Sequence, residues 1–286
     1  MARLLRSLLF VPGNNVRFLE KAKTLDADII CFDLEDSVPP EEKKTARNLI
    51  KNILQNRSQY TAEIYVRTNS PKSGMIQDDL KEIVQKGIDG IVIPKVNNAN
   101  EITKTEKILA NLEKKRKIKP IELVPSIESA AGVVNAYHVA SVSERVSALV
   151  FGVFDLLNEL GIEYTKQAEG AEYARAKIPI DAKAAGKYAI DAIWQDLNDA
   201  AGFEQDCFEA KNLGYVGKSI IHPGQIETAH RVFHPTPAEI EWARKVIEAY
   251  SFAKEKKKGA TKVDGKMIDE VHFKRAKTLL NSIPSK

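Results

Sequence analysis

Short apolar runs alternate with helix-patterned stretches along almost the whole chain, and this alternation constrains the fold more than any other feature. Buried parallel strands read as short apolar runs, and each needs a crossover, usually helical, before the next. The runs expected as strands are Ser7–Val11, Asp28–Phe32, Glu63–Val66 and Gly90–Ile93, then those through Leu123-Val124 and Leu149-Val150-Phe151, then Tyr188–Ile193 and Gly217–Ile221. Helical faces fall between them. Phe18, Leu19, Ala22 and Leu25 follow a capping Asn14 or Asn15; Ala46, Leu49, Ile50 and Ile53 follow Pro39-Pro40. Further helices are expected around Asp78–Lys86 with a stop at Gly87, over Asn100–Lys115, over Ala168–Gly186, and over Phe203–Leu213 with a stop at Gly214. Thr236-Pro237-Ala238-Glu239 has capping-box spacing and opens a helix to about Lys254. Eight strand–helix units is the count for a TIM-type (β/α)₈ barrel, expected over residues 1–255. A doubly wound open sheet is the alternative, but no dinucleotide-binding turn favours it. Residues 256–286 lie beyond the eighth unit as a C-terminal tail. It has a linker-like Lys-Lys-Lys-Gly-Ala run, a turn at Asp264-Gly265 and a last helix carrying Val271, Ala276, Leu279 and Leu280.

Composition narrows the class. A chain of 286 residues, 43% hydrophobic and 29% charged, can bury a large core without covalent staples. Cys31 and Cys207 are far apart in apolar settings, so they read as reduced core residues. No apolar run approaches the roughly 18 residues of a membrane span. The apolar N-terminal stretch closes like a strand at Phe10-Val11-Pro12-Gly13, without a cleavage site. A cytoplasmic protein without an export signal or membrane partner is expected. The net charge of +4 comes with lysine clusters at Lys114–Lys119 and Lys254–Lys258, read as solvated helix ends. No zinc-finger spacing or RNA-binding aromatic motif accompanies them, so no nucleic-acid partner is expected.

The informative residues stand where apolar runs end. Ligands of barrels and open α/β sheets bind at the C-terminal ends of the strands. The polar residues expected to converge there are Asp33, Glu35, Asp36, Arg67, Asn69, Lys95, Glu128, Asp155, Asp191 and His222. Glu128 and Asp155 admit two readings: oxygen ligands for Mg²⁺, or acids capping the helices that follow. Glu35 or Asp36 can hold metal-bound waters. Arg67 matches a carboxylate bidentately, or closes a salt bridge within the acidic ring; for Asp33 the salt bridge is the expected role. Gly152 leaves room for the backbone of Gly152, Val153 and Phe154 to approach a substrate carboxylate. His222, before a proline, reads as a strand-end cap, and no Ser or Cys nucleophile is paired with it.

In sequence order, these residues sit in a set of motifs: Arg6-Ser-Leu-Leu-Phe-Val-Pro-Gly-Asn14, Asp33-Leu-Glu-Asp-Ser-Val38, Lys44-Thr-Ala-Arg47, Val66-Arg-Thr-Asn69, Gly90-Ile-Val-Ile-Pro-Lys95, Ile127-Glu-Ser-Ala-Ala-Gly132, Phe151-Gly-Val-Phe-Asp155, Gly217-Lys-Ser-Ile-Ile-His-Pro-Gly-Gln-Ile226 and Met267-Ile-Asp269. Through them the chain resembles the citrate lyase β-subunit-like group of the HpcH/HpaI aldolase/citrate lyase family. The resemblance implies a TIM-type barrel, usually trimeric, that binds Mg²⁺, with Mn²⁺ as the alternative ion, and a coenzyme A thioester. It implies C–C cleavage of a citramalyl-CoA, malyl-CoA or citryl-CoA to an acyl-CoA and an α-keto acid. The alternatives are a malyl-CoA-type thioesterase, a keto-acid aldolase without coenzyme A, and a subunit of a citrate lyase complex. Residue by residue, it places the metal on Glu128 and Asp155, the substrate carboxylate on Arg67, and coenzyme A against Phe10, Arg17 and Lys21. It places acid/base chemistry on Asp269, in a tail that acts as a lid on a neighbouring subunit. Lys95 then has no need to form a Schiff base. Phe154 and Trp194 depart from the pattern and are expected to narrow the keto-acid pocket.

Overall fold

A computed structural model of the chain describes residues 4–165, 169–281 and 283. Contacts divide it into two compact units, one over Leu5–Phe233 and one beginning at His234. The first unit is a closed barrel of eight parallel strands in sequence order. Its elements are β1 (Ser7–Pro12), α1 (Val16–Ala22), β2 (Ile29–Asp33), α2 (Lys43–Gln55), β3 (Glu63–Arg67), α3 (Ile76–Ile83), β4 (Gly90–Ile93), α4 (Ala99–Arg116), β5 (Glu122–Ile127), α5 (Ala130–Ser141), β6 (Ala148–Phe151), α6 (Val153–Leu160), α7 (Glu172–Ala184), β7 (Tyr188–Asp191), α8 (Ala200–Leu213), β8 (Gly217–Ile220) and α9 (Ile226–Phe233). β8 pairs with β1 through Ser7↔Lys218 and Leu9↔Ile220, which closes the ring. The expected TIM-type barrel is therefore the observed fold.

Alternation along each strand sorts the side chains into two cores. The inward row, with Leu8, Ile29, Cys31, Tyr65, Val92, Val124, Val150 and Ile190, fills the barrel. The outward row, with Leu9, Ile30, Ile64, Ile91, Leu123, Leu149 and Ile220, packs under the helices. The fit inside is tight. A Cβ on Gly90 would come 2.3 Å from the Tyr65 ring, whose hydroxyl reaches past it to donate to Glu122 Oε2 at 2.8 Å.

Asn15, one of the two expected caps, caps α1 by accepting from Phe18 N. Several boundaries differ from expectation. Pro40–Glu42 form a 3₁₀ turn before α2. α3 stops at Ile83, and Gly87, at φ 107°, turns the chain toward β4. The expected helix start at Ala168 lies outside the described residues. Two short helices, α6 and α9, were not anticipated.

The second unit contains α10 (Pro237–Glu255), a hairpin of β9 (Thr261–Val263) and β10 (Lys266–Ile268), and α11 (Glu270–Asn281). Thr236 and Glu239 make the anticipated capping box at the start of α10. Asp264 and Gly265 turn the hairpin with φ of 47° and 77°, the left-handed pair that two-residue hairpin turns require. The stretch read as linker thus leads into paired strands. Ala243, Val246, Val263, Ile268 and Ala276 form the core of this unit, so α10 groups with the tail and not with the barrel.

Asp191 was expected among the convergent site residues. It shares the outward face of Ala189, and β7–β8 pairing sets it beside Lys218. Lys218 Nζ lies 2.7 Å from Asp191 and 2.5 Å from Asp206, and Arg175 reaches the same two acids at 2.6 and 2.7 Å. Burial alone would raise the Asp191 carboxyl, but Lys218 and Arg175 hold it below its usual range. Removing one partner from a buried ion network leaves an uncompensated charge. Lys218→Met should lower the unfolding free energy by roughly 3–5 kcal/mol, read as an earlier midpoint in urea denaturation.

Candidate active site

The C-terminal ends of the barrel strands surround a cleft of about 420 Å³. Phe10, Val150, Ile193 and Ile221 give it apolar walls, Ser126 and Ser219 reach its lining, and Asp36, Arg67, Glu128 and Asp155 bring charge. The cleft thus joins residues from seven of the eight strands or the turns just after them.

Strand register assembles the first part of the site. Pro12, Asp33 and Arg67 are neighbours across β1, β2 and β3. Arg67 Nε and Nη2 donate to the two oxygens of Asp33, both at 2.7 Å. Asp33 also accepts from Glu35 N at 2.8 Å and from the Ser37 amide and hydroxyl at 3.2 and 2.5 Å. Burial opposes its charge, yet the Arg67 guanidinium holds its carboxyl below the usual range. Both Asp33 and Arg67 therefore make the salt bridge considered for them. Arg67 Nη1 lies 3.2 Å from Glu35 Oε2, and its guanidinium stacks 4.6 Å above the Phe10 ring. Phe10 supports the arginine from below.

The second part is an acidic wall. Glu128 follows β5, and its Oε1 accepts from Lys95 N at 2.7 Å. It does not cap α5; Ser129 does, accepting from Gly132 N. Asp155 lies in the first turn of α6, whose dipole favours a negative charge there, but makes no side-chain capping bond. A Cβ on Gly152 would come 2.6 Å from Glu128 Cβ. The space at Gly152 is thus needed by Glu128 as well, while Gly152, Val153 and Phe154 all line the cleft. Lys95 Nζ lies 3.0 Å from Glu35 Oε1, 3.0 Å from Asp36 Oδ2 and 3.6 Å from Asp155 Oδ1. Lys43 was overlooked in the sequence. It is buried and donates to the carbonyls of Leu34 and Glu35, both at 2.7 Å, which fixes the turn carrying the two acids. A lysine at the start of a helix, where the dipole disfavours it, was the available signal.

The donor set fits a magnesium ion. Asp33, Glu35, Asp36, Glu128 and Asp155 bring five carboxylates, opposed by Arg67, Lys95 and Lys43. Glu35 Oε2 is buried, and apart from its 3.2 Å ion pair with Arg67 it has no hydrogen-bond partner among the described residues. Mg²⁺ takes one or two carboxylates and completes its shell with water and substrate oxygens, so two carboxylates open to the cleft suffice. Glu128 and Asp155, both open to the cleft, are the residues that would hold it.

The remaining candidates fall elsewhere. Arg17 and Lys21 are exposed on α1 and do not line the cleft. Asn69 is tied down by Asp79, which also receives Arg47 at 2.6 Å. Phe154 does line the cleft, stacked at 4.6 Å on Tyr164. Trp194 does not: it is buried beside a smaller cavity with Tyr164, because Ile193 takes the cleft-facing position. His222 caps the turn after β8 with Gln225, as expected. Asp269 belongs to the second unit, where its Oδ1 accepts from Val271 N at 3.0 Å and lies 2.7 Å from His272 Nδ1.

The acidic wall has a consequence for stability. Burial, reinforced by neighbouring carboxylates, pushes Glu128 and Glu35 up to about 7. The folded state then holds their protons more tightly than the unfolded chain does. Their contribution is full below the ordinary glutamate value and is lost as pH rises toward 7. In EDTA, melting temperature should fall between about pH 4.5 and 7, and Glu128→Gln should flatten that decline, as differential scanning calorimetry would record.

Residues 6–223 match the family model described as HpcH/HpaI aldolase/citrate lyase. The chain is 35% identical to the citrate lyase subunit beta of Escherichia coli over 98% of its length and 93% of that protein's. It is 34% identical to the (3S)-malyl-CoA thioesterase of Cereibacter sphaeroides, over 96% and 93% of the two chains. It is 33% identical to the mitochondrial citramalyl-CoA lyase of Homo sapiens, over 98% and 87%. The structure of CitE from Mycobacterium tuberculosis, in complex with magnesium, acetoacetate and coenzyme A, superposes with a TM-score of 0.78 at 25% identity, covering 97% of this chain and 99% of that one. With a matching barrel and relatives aligned along nearly its full length, the chain belongs to the HpcH/HpaI aldolase/citrate lyase family.

Proposed function

We propose that the protein is a Mg²⁺-dependent acyl-CoA lyase. Its substrate is a 3-hydroxy-3-carboxyacyl-CoA of the citramalyl-CoA, malyl-CoA or citryl-CoA type, cleaved reversibly to an acyl-CoA and an α-keto acid. The observation that carries this reading is the pairing, in one cleft, of an under-compensated carboxylate wall with a rigidly held arginine. Two of the relatives named above are lyases by name, and the superposed CitE carries magnesium with coenzyme A.

The roles follow from charge flow. Mg²⁺, held by Glu128 and Asp155, would polarise the hydroxyl and carboxylate oxygens of the substrate. Arg67 has five N–H donors and commits two to Asp33, so its guanidinium enters the cleft already oriented for the carboxylate. Glu35 and Asp36, locked by Lys95, accept hydrogen bonds from water around the ion. The backbone of Gly152, Val153 and Phe154 contacts the keto-acid end. A carboxylate of the acidic wall would take the hydroxyl proton; the C–O bond then becomes a carbonyl and the C–C electrons move to the α-carbon of the acyl-CoA. Asp269 protonates that enolate carbon in cleavage and removes the same proton in condensation. A neighbouring subunit of a homotrimer would supply it. Phe10, Arg17 and Lys21 are assigned to coenzyme A; the exposed cations of α1 suit its phosphates.

The Cereibacter relative keeps a thioesterase reading in view, since the same polarised site can direct water to the thioester. Product analysis separates the two. Purified protein with citramalyl-CoA and malyl-CoA should release pyruvate or glyoxylate in Mg²⁺ and none in EDTA. Free coenzyme A with an intact hydroxy acid would assign hydrolysis instead.

Two variants test the roles. Glu128→Gln should lower kcat by about a hundredfold or more at saturating Mg²⁺; full activity would exclude the carboxylate as a ligand. Asp269→Asn should abolish turnover while leaving Mg²⁺ affinity unchanged, measured by titration calorimetry.

A further inference from the structure

Lys95 addresses four of the five carboxylates of the site, all but Asp33. Its amide donates to Glu128 Oε1 at 2.7 Å. Its ammonium meets Glu35 and Asp36 at 3.0 Å and Asp155 at 3.6 Å. The backbone that makes this reach available is unusual, because Lys95 sits at φ 54°, in the left-handed region that side chains other than glycine seldom adopt. The turn is braced on its far side. Asn97 Nδ2 donates to Lys95 O at 2.8 Å, Ser129 Oγ donates to Asn97 Oδ1 at 2.8 Å, and Asn135 Nδ2 donates to Asn97 O at 3.0 Å. A strained conformation held from several sides points to a demand at that position.

We propose that the Lys95 ammonium is the resident counter-cation of the acidic wall, and that a divalent ion must displace it from Asp155 in order to bind. Two cations cannot both occupy the near side of one carboxylate without strong repulsion. Metal uptake therefore withdraws Asp155 from Lys95, which stays anchored on Glu35 and Asp36. Lys95 sets the metal affinity below that of the carboxylates alone. This partly offsets the wall's charge when no ion is bound, and it makes the ion readily exchangeable. The inference rests on the assignment of Glu128 and Asp155 as the metal ligands and adds a residue that opposes them.

The test is Mn²⁺ binding to the purified metal-free protein, followed by electron paramagnetic resonance without substrate at a fixed alkaline pH. Lys95→Met removes the charge but keeps the amide that holds Glu128, and it should bind Mn²⁺ about tenfold more tightly than the parent. Lys95→Gly removes the side chain and relieves the left-handed strain, so it guards against a folding defect and should tighten binding to the same degree. Lys95→Arg retains the competing charge and should bind as the parent does. A purely structural role cannot give a gain in affinity. Unchanged or weaker binding in both Lys95→Met and Lys95→Gly would overturn the proposal. Glu128→Gln separates the underlying assignment: if it binds Mn²⁺ like the parent, the ligand reading itself fails, whereas loss there with no gain at Lys95 defeats only the competition.

Discussion

The site depends on one buried ion pair, Arg67 with Asp33. β2–β3 register places the two residues side by side, so their contact is set by strand pairing before any side chain chooses a rotamer. A buried pair offsets its desolvation only with near-ideal geometry and with its remaining lone pairs satisfied. Both conditions hold. The pairing is bidentate, and Asp33 also accepts from the Glu35 amide and from Ser37. Those two bonds fold residues 34–37 back over the end of β2, which brings Glu35 under Arg67 and leaves Asp36 at the cleft. Lys43 fixes the same turn from the helix side. The Glu35–Asp36 part of the acidic wall and the orientation of the cleft-lining arginine therefore follow from a single strand-end contact.

Charge balance distinguishes this site from the other polar cluster in the barrel. Lys218 and Arg175 face Asp191 and Asp206 in the layer beneath the helices, two cations against two acids at its centre. Such a set is self-sufficient, and its effect is to hold β7 and β8 against α7 and α8. At the cleft, five carboxylates face three cations, Arg67, Lys95 and Lys43, and burial pushes Glu35 and Glu128 toward protonation. The acids outnumber the cations there, unlike in the balanced cluster beneath the helices. Perturbed carboxyls gathered in a cleft point to function, while a closed ion network of the same residue types points to structure.

The sequence makes the barrel legible because alternation survives as a pattern of apolar runs, and all eight strands fall where those runs lie. The missed elements lack that signal. α6 starts two residues after β6 ends, and its Val153-Phe154 continues the apolar run. α9 has eight residues, and the strands of the C-terminal hairpin have three each, too few for a period to emerge. The site was legible in its types and less so in its directions. Arg67, Glu128, Asp155 and Asp191 all stand at the ends of apolar runs. Asp191 falls one residue after inward-facing Ile190, so it points out of the barrel. Only the parity of each strand separates the two cases, and parity is set by pairing that no single run contains. A clue was present at Lys218, since a lysine inside an apolar run calls for a buried acid beside it.

Backbone conformation completes what the side chains begin. Glu128 fits because Gly152, beside it on the next strand, has no Cβ. Lys95 donates its amide to Glu128 and swings its ammonium across to Glu35, Asp36 and Asp155 because its φ is positive. A left-handed lysine costs on the order of 1 kcal/mol or more. It persists here because Asn97, Ser129 and Asn135 brace the turn. The two contributions of Lys95 are physically separate. The amide orients a carboxylate and survives any substitution that keeps the turn; the ammonium supplies charge and is lost with the side chain. Orientation of Glu128 is thus written into the backbone, while the charge that offsets the carboxylates is supplied by one side chain.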